Sequence, residues 1–483
     1  MRIASYISMI FLFQLLFSCA PSIYQPDLAR SDEFVNIKRY GAKGDGKTND
    51  QPAIQIAFQS GHNLYFPKGE YVLKTKTEAG AILLITEQGT PRRIRFAKGA
   101  IFVVAPDQPT DYIKPAVVSV EAKRGDIPFI EWDGLSIEGN RGKHKINNSG
   151  LIVLDHKGTK VERLILRNAT VKNVGWNAIY SQAMHNEFYN IRTENSGLHG
   201  IALINYSHPK EVGTVLIDGF ESKEDKGYSI DFSGPKDQSG KPYSGYAWRA
   251  IVKHVSSFHS QYGIKTAGHW DIDMEDVSVE GSDNHGFFIN VENRGHVIVA
   301  KNMSLKNNKG VALNLRGYGR FVGEDIRIEN CGKGMLDGLT DIHIRDLQVK
   351  GGPLSRLGIQ IGGPVKEAVI DGFTISGLPS IVQYPLRLKG KNIVLKNGVV
   401  KNNRSVFEIL VYPEAGSVKI EDVRFSGSED PLRLVHGIRT LQSKGKLELK
   451  GLDFRAIQGV QVRGSRDKIQ LEKCKGVTKV QWN

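Results

Sequence analysis

The chain has 483 residues, a formal net charge of +14 and a pI near 9.4, a length that allows two or three ordinary domains or one long repetitive one. Of its three cysteines only Cys331 and Cys474 lie beyond residue 19, far apart in sequence, which excludes a disulfide-stapled scaffold. Nucleic acid, an anionic membrane or an anionic polymer would suit this charge balance. The positive charge is scattered along the chain without a dense Lys/Arg block, so a nucleic-acid-binding arm is not expected, and for an exported chain an acidic polysaccharide is the expected partner.

The N-terminal stretch MRIASYISMIFLFQLLFSCAPS carries one basic residue and an apolar run from Ile7 to Phe17. The run is too short for a comfortable membrane span and has the layout of an export signal. Leu16-Phe17-Ser18-Cys19 resembles the bacterial lipobox, which implies cleavage before Cys19 and acylation of its thiol. Residues 1–18 are therefore read as a signal peptide, 19–33 as a linker and 34–483 as one folded domain. The lipid on Cys19 is the only membrane attachment expected, on the Gram-negative outer membrane or cell surface.

Next comes GAKGDGKTND (41–50), a literal match to the phosphate-loop pattern at Gly41, Gly46, Lys47 and Thr48. That pattern has mechanical meaning only where the loop opens directly into a helix. Here Asn49 to Pro52 reads as a cap and first turn instead, and an exported protein meets little nucleoside triphosphate. NDQPAIQIAFQSG (49–61) offers a cap at Asn49 or Asp50, with Ile54, Ala57 and Phe58 on one face. It predicts a short amphipathic helix lying over an exposed strand edge. The whole of VNIKRYGAKGDGKTNDQPAIQIAFQSGHNLYFPKGEYVL (35–73) closely resembles the opening of the pectate-lyase-like superfamily of right-handed β-helix proteins. There a strand, a glycine-rich turn and a capping helix precede the first coil. The resemblance implies a fold; the superfamily contains lyases, hydrolases and epimerases acting on polysaccharides, and phage tailspikes.

From about residue 129 one phrase recurs: apolar-x-apolar, a polar pair, apolar-x-apolar, then Asn, Gly or Ser. VERLILRNATVKNVG, WDIDMEDVSVEGSDNHG and GHVIVAKNMSLKNNKG are typical, at a spacing clustering roughly near 24 residues, within the solenoid range. Each unit holds short period-2 strands with no helical stripe. Strands that lack both hairpins and crossover helices pair with the next repeat, which makes the expected fold an all-β, right-handed parallel β-helix, each coil rising roughly 4.8 Å.

Five central coils align on a residue-Gly pair: His199-Gly200, Lys226-Gly227, Tyr262-Gly263, His285-Gly286 and Lys309-Gly310. If the first residue after Gly points inward, the second and fourth point out. The inferred outer columns, with NAIYSQA (177–183) added, are Tyr180, Ala202, Ser229, Lys265, Phe288, Ala312 and Gln182, Ile204, Asp231, Ala267, Asn290, Asn314. Glu292 and Arg316 lie beyond them, and His199, Tyr262 and His285 precede the glycines. Lys265, among cationic or desolvating neighbours, is the expected base for β-elimination at a uronate. Tyr228 or Tyr262 would supply the acid, while His199, His285, Asn290 and Arg316 would supply cations and donors for the enolate.

Two facing carboxylates would instead suit hydrolysis; Asp231 and Glu292, two coils apart at roughly 10 Å, are the available pair. Asp231, Asn290 and Glu292 are also oxygen donors that suit calcium, although no spacing pattern demands it. The insertion SGPKDQSGKPYSGYAW (233–248) brings Tyr243, Tyr246 and Trp248, aromatics of the kind that stack on sugar rings. The resulting expectation is a monomeric polysaccharide lyase on alginate, pectate or a glycosaminoglycan. Hydrolase, uronate C5-epimerase and non-catalytic binding protein are the alternatives. If Cys19 carries the lipid, Cys19→Ala should leave the membrane fraction for the soluble one; unchanged membrane partition would count against the anchor.

Overall fold

The structure, a computed structural model, describes residues 33–74, 81–107, 116–142, 148–156, 158–204, 211–234, 248–291, 295–338, 341–362, 367–379, 382, 384–403, 407–426, 436–441 and 445–482. Cys19, Tyr243, Tyr246 and Glu292 lie outside these. Residues Val35–Asn483 form one compact unit.

The opening behaves as a turn and a cap, not as a phosphate loop. Asp45–Asn49 is a strand running parallel to Gly69–Leu73, so no helix begins at Lys47. Gly44 and Gly46 have φ of 63° and 72°, the left-handed region that glycine enters without strain. A Cβ at Gly44 would also sit 2.9 Å from the Tyr71 ring. The helix spans Gln51–Phe58 and buries Ile54, Ala57 and Phe58, as the sequence pattern predicts. Asp50 is the N-cap residue, one of the two positions expected, but its side chain does not cap the helix. Asp50 turns away from the helix, and its carboxylate accepts from the backbone N–H of Lys43 at 2.6 Å and Gly44 at 2.9 Å.

The helix covers the strand edge through its glutamines. Gln55 donates to the Leu84 carbonyl at 2.7 Å and accepts from the Leu84 N–H at 2.9 Å, while Gln51 donates to the Ile82 carbonyl at 3.0 Å. A side-chain amide thus stands in for the missing preceding strand of Leu83–Thr86 and satisfies groups that would otherwise be orphaned.

Behind the cap every described ladder between strands is parallel, in a β-solenoid of about 14 turns. Three stacks build it. One runs from Phe34–Asn36 through Asn63–Phe66, Arg93–Phe96, Ile130–Asp133 and Arg163–Arg167; a second from Asp45–Asn49 through Gly69–Leu73, Ala100–Val104 and Ser136–Glu138; a third begins Leu83–Thr86, Ala116–Ala122 and Ser149–Asp155. From His185–Glu194 onward the first two stacks merge into single bent strands. The bend needs positive φ in every coil, and Asn190, Gly219, His254, Asp276 and Asn302 take it with φ of 49–81°. Asn and Asp adopt that region more readily than other residues with a side chain, which is the physical content of the recurring punctuation in the repeats.

Inside, side chains stack coil upon coil. At the N-terminal end Phe66 lies parallel to Phe96 at 4.5 Å and meets Phe102 and Tyr71 edge-on at 5.2 and 5.4 Å. Phe58 of the capping helix reaches Trp132 at 5.9 Å, joining cap and core. Phe66→Ala opens a cavity at the centre of that cluster and should cost roughly 3–5 kcal/mol, read as a lowered urea midpoint with unchanged slope; a loss below about 1 kcal/mol would mean the cluster does not carry the cap.

Candidate active site

The third stack presents its outer face along Ile201–Ile204, Tyr228–Ser233, Tyr262–Gly268, Phe287–Val291 and Val311–Gly317. Its register places Tyr180, Ala202, Asp231, Lys265, Phe288 and Asn314 in one column. Ser233, Ala267, Asn290 and Arg316 form the next. The expected columns are therefore shifted by two residues in two coils. Asp231, not Ser229, stands beside Lys265, and Asn314, not Ala312, beside Phe288. Core burial is the reason. Ile230 pairs with Ile264 and Leu313 with Phe287, so the coils starting at Lys226 and Lys309 take two more residues through the corner. Ser229 and Ala312 are fully buried.

Beside this column runs a ladder of rings, one per coil. His199 lies 5.6 Å from Tyr228, Tyr228 stacks on Tyr262 at 4.5 Å, and Tyr262 lies 6.2 Å from His285. Phe288 closes the row by stacking on His285 at 5.6 Å and carries the Arg316 guanidinium 5.5 Å from its ring centre. Phe288 and Ser233 are contributors that residue chemistry alone did not single out. The period-2 step from Asp231 is the signal that points to Ser233.

Asp231, 4% exposed, is the charged hub. Lys265 Nζ is 3.1 Å from its Oδ1, Ser233 Oγ donates to Oδ1 at 2.8 Å, and Lys265 also donates to Ser233 Oγ at 3.2 Å. His199 Nε2 sits 3.4 Å from Oδ2. Lys265, expected among cationic or desolvating neighbours, thus has a carboxylate beside it, with the Tyr228 ring 5.3 Å from Nζ. The Tyr228 backbone N–H donates to His199 Nδ1 at 3.0 Å. That bond requires Nδ1 to be the acceptor, so the neutral ring carries its proton on Nε2, toward Asp231.

Burial holds His199 below its ordinary value, against the pull of Asp231 and aided by Lys265. His285 is lowered by burial first, then by the charges of Arg316 and Lys333. Asn314 Nδ2 lies 3.4 Å from its Nε2. Burial pushes Tyr228 up to about 12, helped by Tyr262 and Asp231. Beneath the rings Asp225, fully buried, accepts from the Ser196 N–H at 2.9 Å, Thr193 Oγ1 at 2.9 Å and Ser222 Oγ at 2.6 Å. Ser196 precedes His199 by three positions and Asp225 precedes Tyr228 by three, so one carboxylate ties together the two ring-bearing turns.

Other expected members lie apart from the centre. Tyr180 heads the column, but its hydroxyl accepts from Gln182 Nε2 at 3.0 Å, and Gln182 Oε1 in turn accepts from the Asp155 N–H at 3.1 Å. Trp248 is not a loop aromatic. It begins the strand Trp248–Phe258, is 2% exposed, packs edge-on against Trp270 at 5.4 Å and donates its indole N–H to the Glu211 carbonyl at 3.2 Å. No ring face is left for a sugar. Among the described residues no three His, Cys, Asp or Glu are grouped to hold a metal ion, and Asp231 already spends both oxygens on Lys265, Ser233 and His199.

Residues 34–110 match the family described as Rhamnogalacturonase A/epimerase, pectate lyase-like. Alginate lyase 7 of Azotobacter vinelandii is 45% identical over 56 residues, 10% of this chain and 6% of that protein. The pre-neck appendage protein of Bacillus phage B103 is 38% identical over 55 residues, 11% of this chain and 6% of that protein. The chain thus aligns with only a small fraction of the length of these curated relatives. Among solved structures, the A-module of the mannuronan C-5 epimerase AlgE4 of Azotobacter vinelandii is 16% identical over 93% of this chain and 99% of its own, with a TM-score of 0.34.

The buried rings also make stability depend on pH. In the unfolded chain His199 titrates near 6.5, in the fold below it. Above 6.5 both states are neutral; as the pH falls below that, the unfolded chain takes up a proton that the folded ring refuses, and stability is lost. His199→Asn should therefore lose less stability than wild type between pH 7 and 5, by up to about 1.4 kcal/mol for each pH unit within the window. Parallel urea midpoints for the two proteins would contradict the assignment of a neutral ring.

Proposed function

We propose that the chain cleaves a uronate-containing polysaccharide by β-elimination, a reading supported by the match of residues 34–110 to a pectate-lyase-like family and by the parallel β-solenoid. Alginate, pectate-like polymers and glycosaminoglycans are the candidate substrates. The observation that carries this reading is the ladder His199–Tyr228–Tyr262–His285, flanked on one outer face by the cations Lys265 and Arg316.

Elimination breaks the C5–H bond, forms a C4=C5 double bond and expels the C4 oxygen, which takes up a proton. The uronate carboxylate must be neutralised for C5–H to become acidic, and exposed Arg316 with Asn290 in the same column suits that task. The site then needs a neutral base. His285 fits, since burial and the charges of Arg316 and Lys333 keep its ring neutral at pH 7; Nε2, with the Asn314 amide 3.4 Å away, would take the proton, and a base unprotonated at working pH is the efficient one. Lys265 is less suited to that role than its mid-strand position suggests, because its ammonium is spoken for by Asp231. It serves better as a fixed cation beside the developing enolate. Tyr262, one coil from His285 and with Tyr228 stacked behind it, would protonate the leaving oxygen. Lipidation at Cys19, inferred from LFSC, would hold this chemistry at the Gram-negative surface, where such polymers are met.

A polymer panel read for unsaturated product absorbing in the ultraviolet is the test. Activity on at least one acidic polymer is expected. His285→Asn and Tyr262→Phe should each lower kcat roughly 10²–10⁴-fold, Lys265→Ala should also lower kcat, Arg316→Ala should raise KM, and His62→Ala beside the capping helix should change nothing. Reducing ends without absorbance would replace this reading with hydrolysis. Altered uronate stereochemistry without chain cleavage would replace it with epimerisation, and polymer binding alone with a binding protein.

A further inference from the structure

The register column that carries Asp231, Lys265 and Asn314 continues toward the C-terminus as Leu336, Gln360, Arg387, Leu410, Arg439 and Arg463. Three arginines thus fall within four consecutive coils on the face of the ring ladder. Arg439 and Arg463 are direct register partners, roughly 4.8 Å apart at the backbone, and like charges placed opposite one another in a sheet are destabilising. Elsewhere on the solenoid, outward cations are offset by carboxylates one coil away: Lys253 by Glu275, Lys396 by Asp371, Lys419 by Glu448. Among the described residues no carboxylate pairs with Arg387 or Arg463. Arg387 Nε is, moreover, a buried donor with no acceptor.

The arginines are also held in place. Arg439 Nη1 donates to the Tyr384 hydroxyl at 3.2 Å, and the Arg387 guanidinium lies 5.7 Å from the Tyr384 ring centre. One phenol therefore steadies two guanidinium groups that stand two coils apart. A fixed planar guanidinium is matched to a carboxylate, which it binds through two parallel charge-assisted hydrogen bonds. Arg387 is three register steps from Asn314, roughly 14 Å along the solenoid axis. An extended polymer lying on this face reaches both places with a few sugar residues.

We propose that Tyr384, Arg387, Arg439 and Arg463 form a second, non-cleaving site that binds carboxylates of an acidic polysaccharide, displaced toward the C-terminus from the ring ladder. This rests on the uronate-polymer reading of the substrate but not on cleavage. The site offers a neutral polymer no charge to pair with. It would anchor the distal end of a long chain while the ring ladder engages a nearer sugar.

Affinity electrophoresis of the full chain in gels cast with alginate, polygalacturonate or dextran tests this, alongside Arg387→Gln/Arg439→Gln/Arg463→Gln and the single variant Arg463→Gln. The folding of each is verified by circular dichroism and thermal midpoint. Wild type should be retarded by at least one acidic polymer and not by dextran. The triple variant should need at least roughly tenfold more polymer for equal retardation, Arg463→Gln a smaller but measurable excess, and Lys401→Gln, an exposed cation elsewhere, none. Should the triple variant fail to fold, Arg463→Gln alone decides the matter. Wild-type retardation in the folded arginine variants, or no retardation of wild type by either acidic polymer, overturns the proposal. Unsaturated product from wild type with unaltered retardation of the variants would sink this site and leave cleavage standing. Retardation lost in the variants with no unsaturated product would sink cleavage and leave this site standing.

Discussion

Parallel pairing of each coil with the next is the constraint on which everything else in this protein depends. A strand here has no hairpin partner, so its backbone N–H and C=O groups find acceptors and donors only one coil away. In-register parallel stacking then forces side chains at equivalent positions to lie over one another at roughly the strand spacing. Inward columns become rows of Ile, Val, Leu and Phe. Outward columns become rows of whatever the surface carries. Both the stability of the solenoid and the geometry of its candidate site are properties of columns, not of single coils.

Stacking like on like has costs that residue choice meets in different ways. The bend between the first two stacks demands positive φ in coil after coil, and the Asn and Asp residues found there also hydrogen-bond to one another: Asn190 donates to Asn168 at 3.2 Å, and Asn168 to Asp133 at 2.8 Å. Inside, polar residues must satisfy one another completely. Around Asp225 the hydroxyls of Thr193, Ser196 and Ser222 meet the carboxylate, and Ser222 in turn bonds Ser229 and Ser260. Burial raises the Asp225 carboxyl above its usual range. A buried charge of this kind is an expensive way to hold a corner. Its position under His199 and Tyr228 gives the expense a purpose, because the two rings keep their spacing only if the two turns keep theirs.

The end of the stack poses the opposite problem, an edge with no next coil. Gln51 and Gln55 solve it by presenting side-chain amides as a substitute strand, while Phe58 binds the helix to Trp132 beneath. The glycines of 41–46, which mimic a phosphate loop in sequence, all take positive φ, and Gly44 does so against the Tyr71 ring, so that the chain turns tightly before the helix is laid across the edge. The same residue pattern thus has two physical explanations; the cap and first turn at Asn49 to Pro52 favour one of them, and the strand at Asp45–Asn49 agrees.

The period-2 strands, their punctuation by Asn and Gly and the capping helix were legible in the sequence because each is local. Alternation, turn chemistry and an apolar helical face are decided within a few residues. That His199, Tyr262, His285, Lys265 and Arg316 share one face was legible too, since every coil repeats the same inside–outside alternation; Tyr228, the first residue after its glycine, falls inward under that rule and joins the rings only because its coil takes two more residues through the corner. What only the tertiary structure decided is which of them are neighbours. Ile230 and Leu313 claim inward places that move Asp231 and Asn314 by two residues relative to the residue-Gly alignment, and with that shift Lys265 gains a carboxylate partner. Trp248 was misplaced for the same reason. Its aromatic chemistry is equally good for stacking on a sugar or for filling a core, and it is the strand Trp248–Phe258, packed against Trp270, that selects the core. Register arises from burial summed over neighbouring coils, and no single repeat contains that sum.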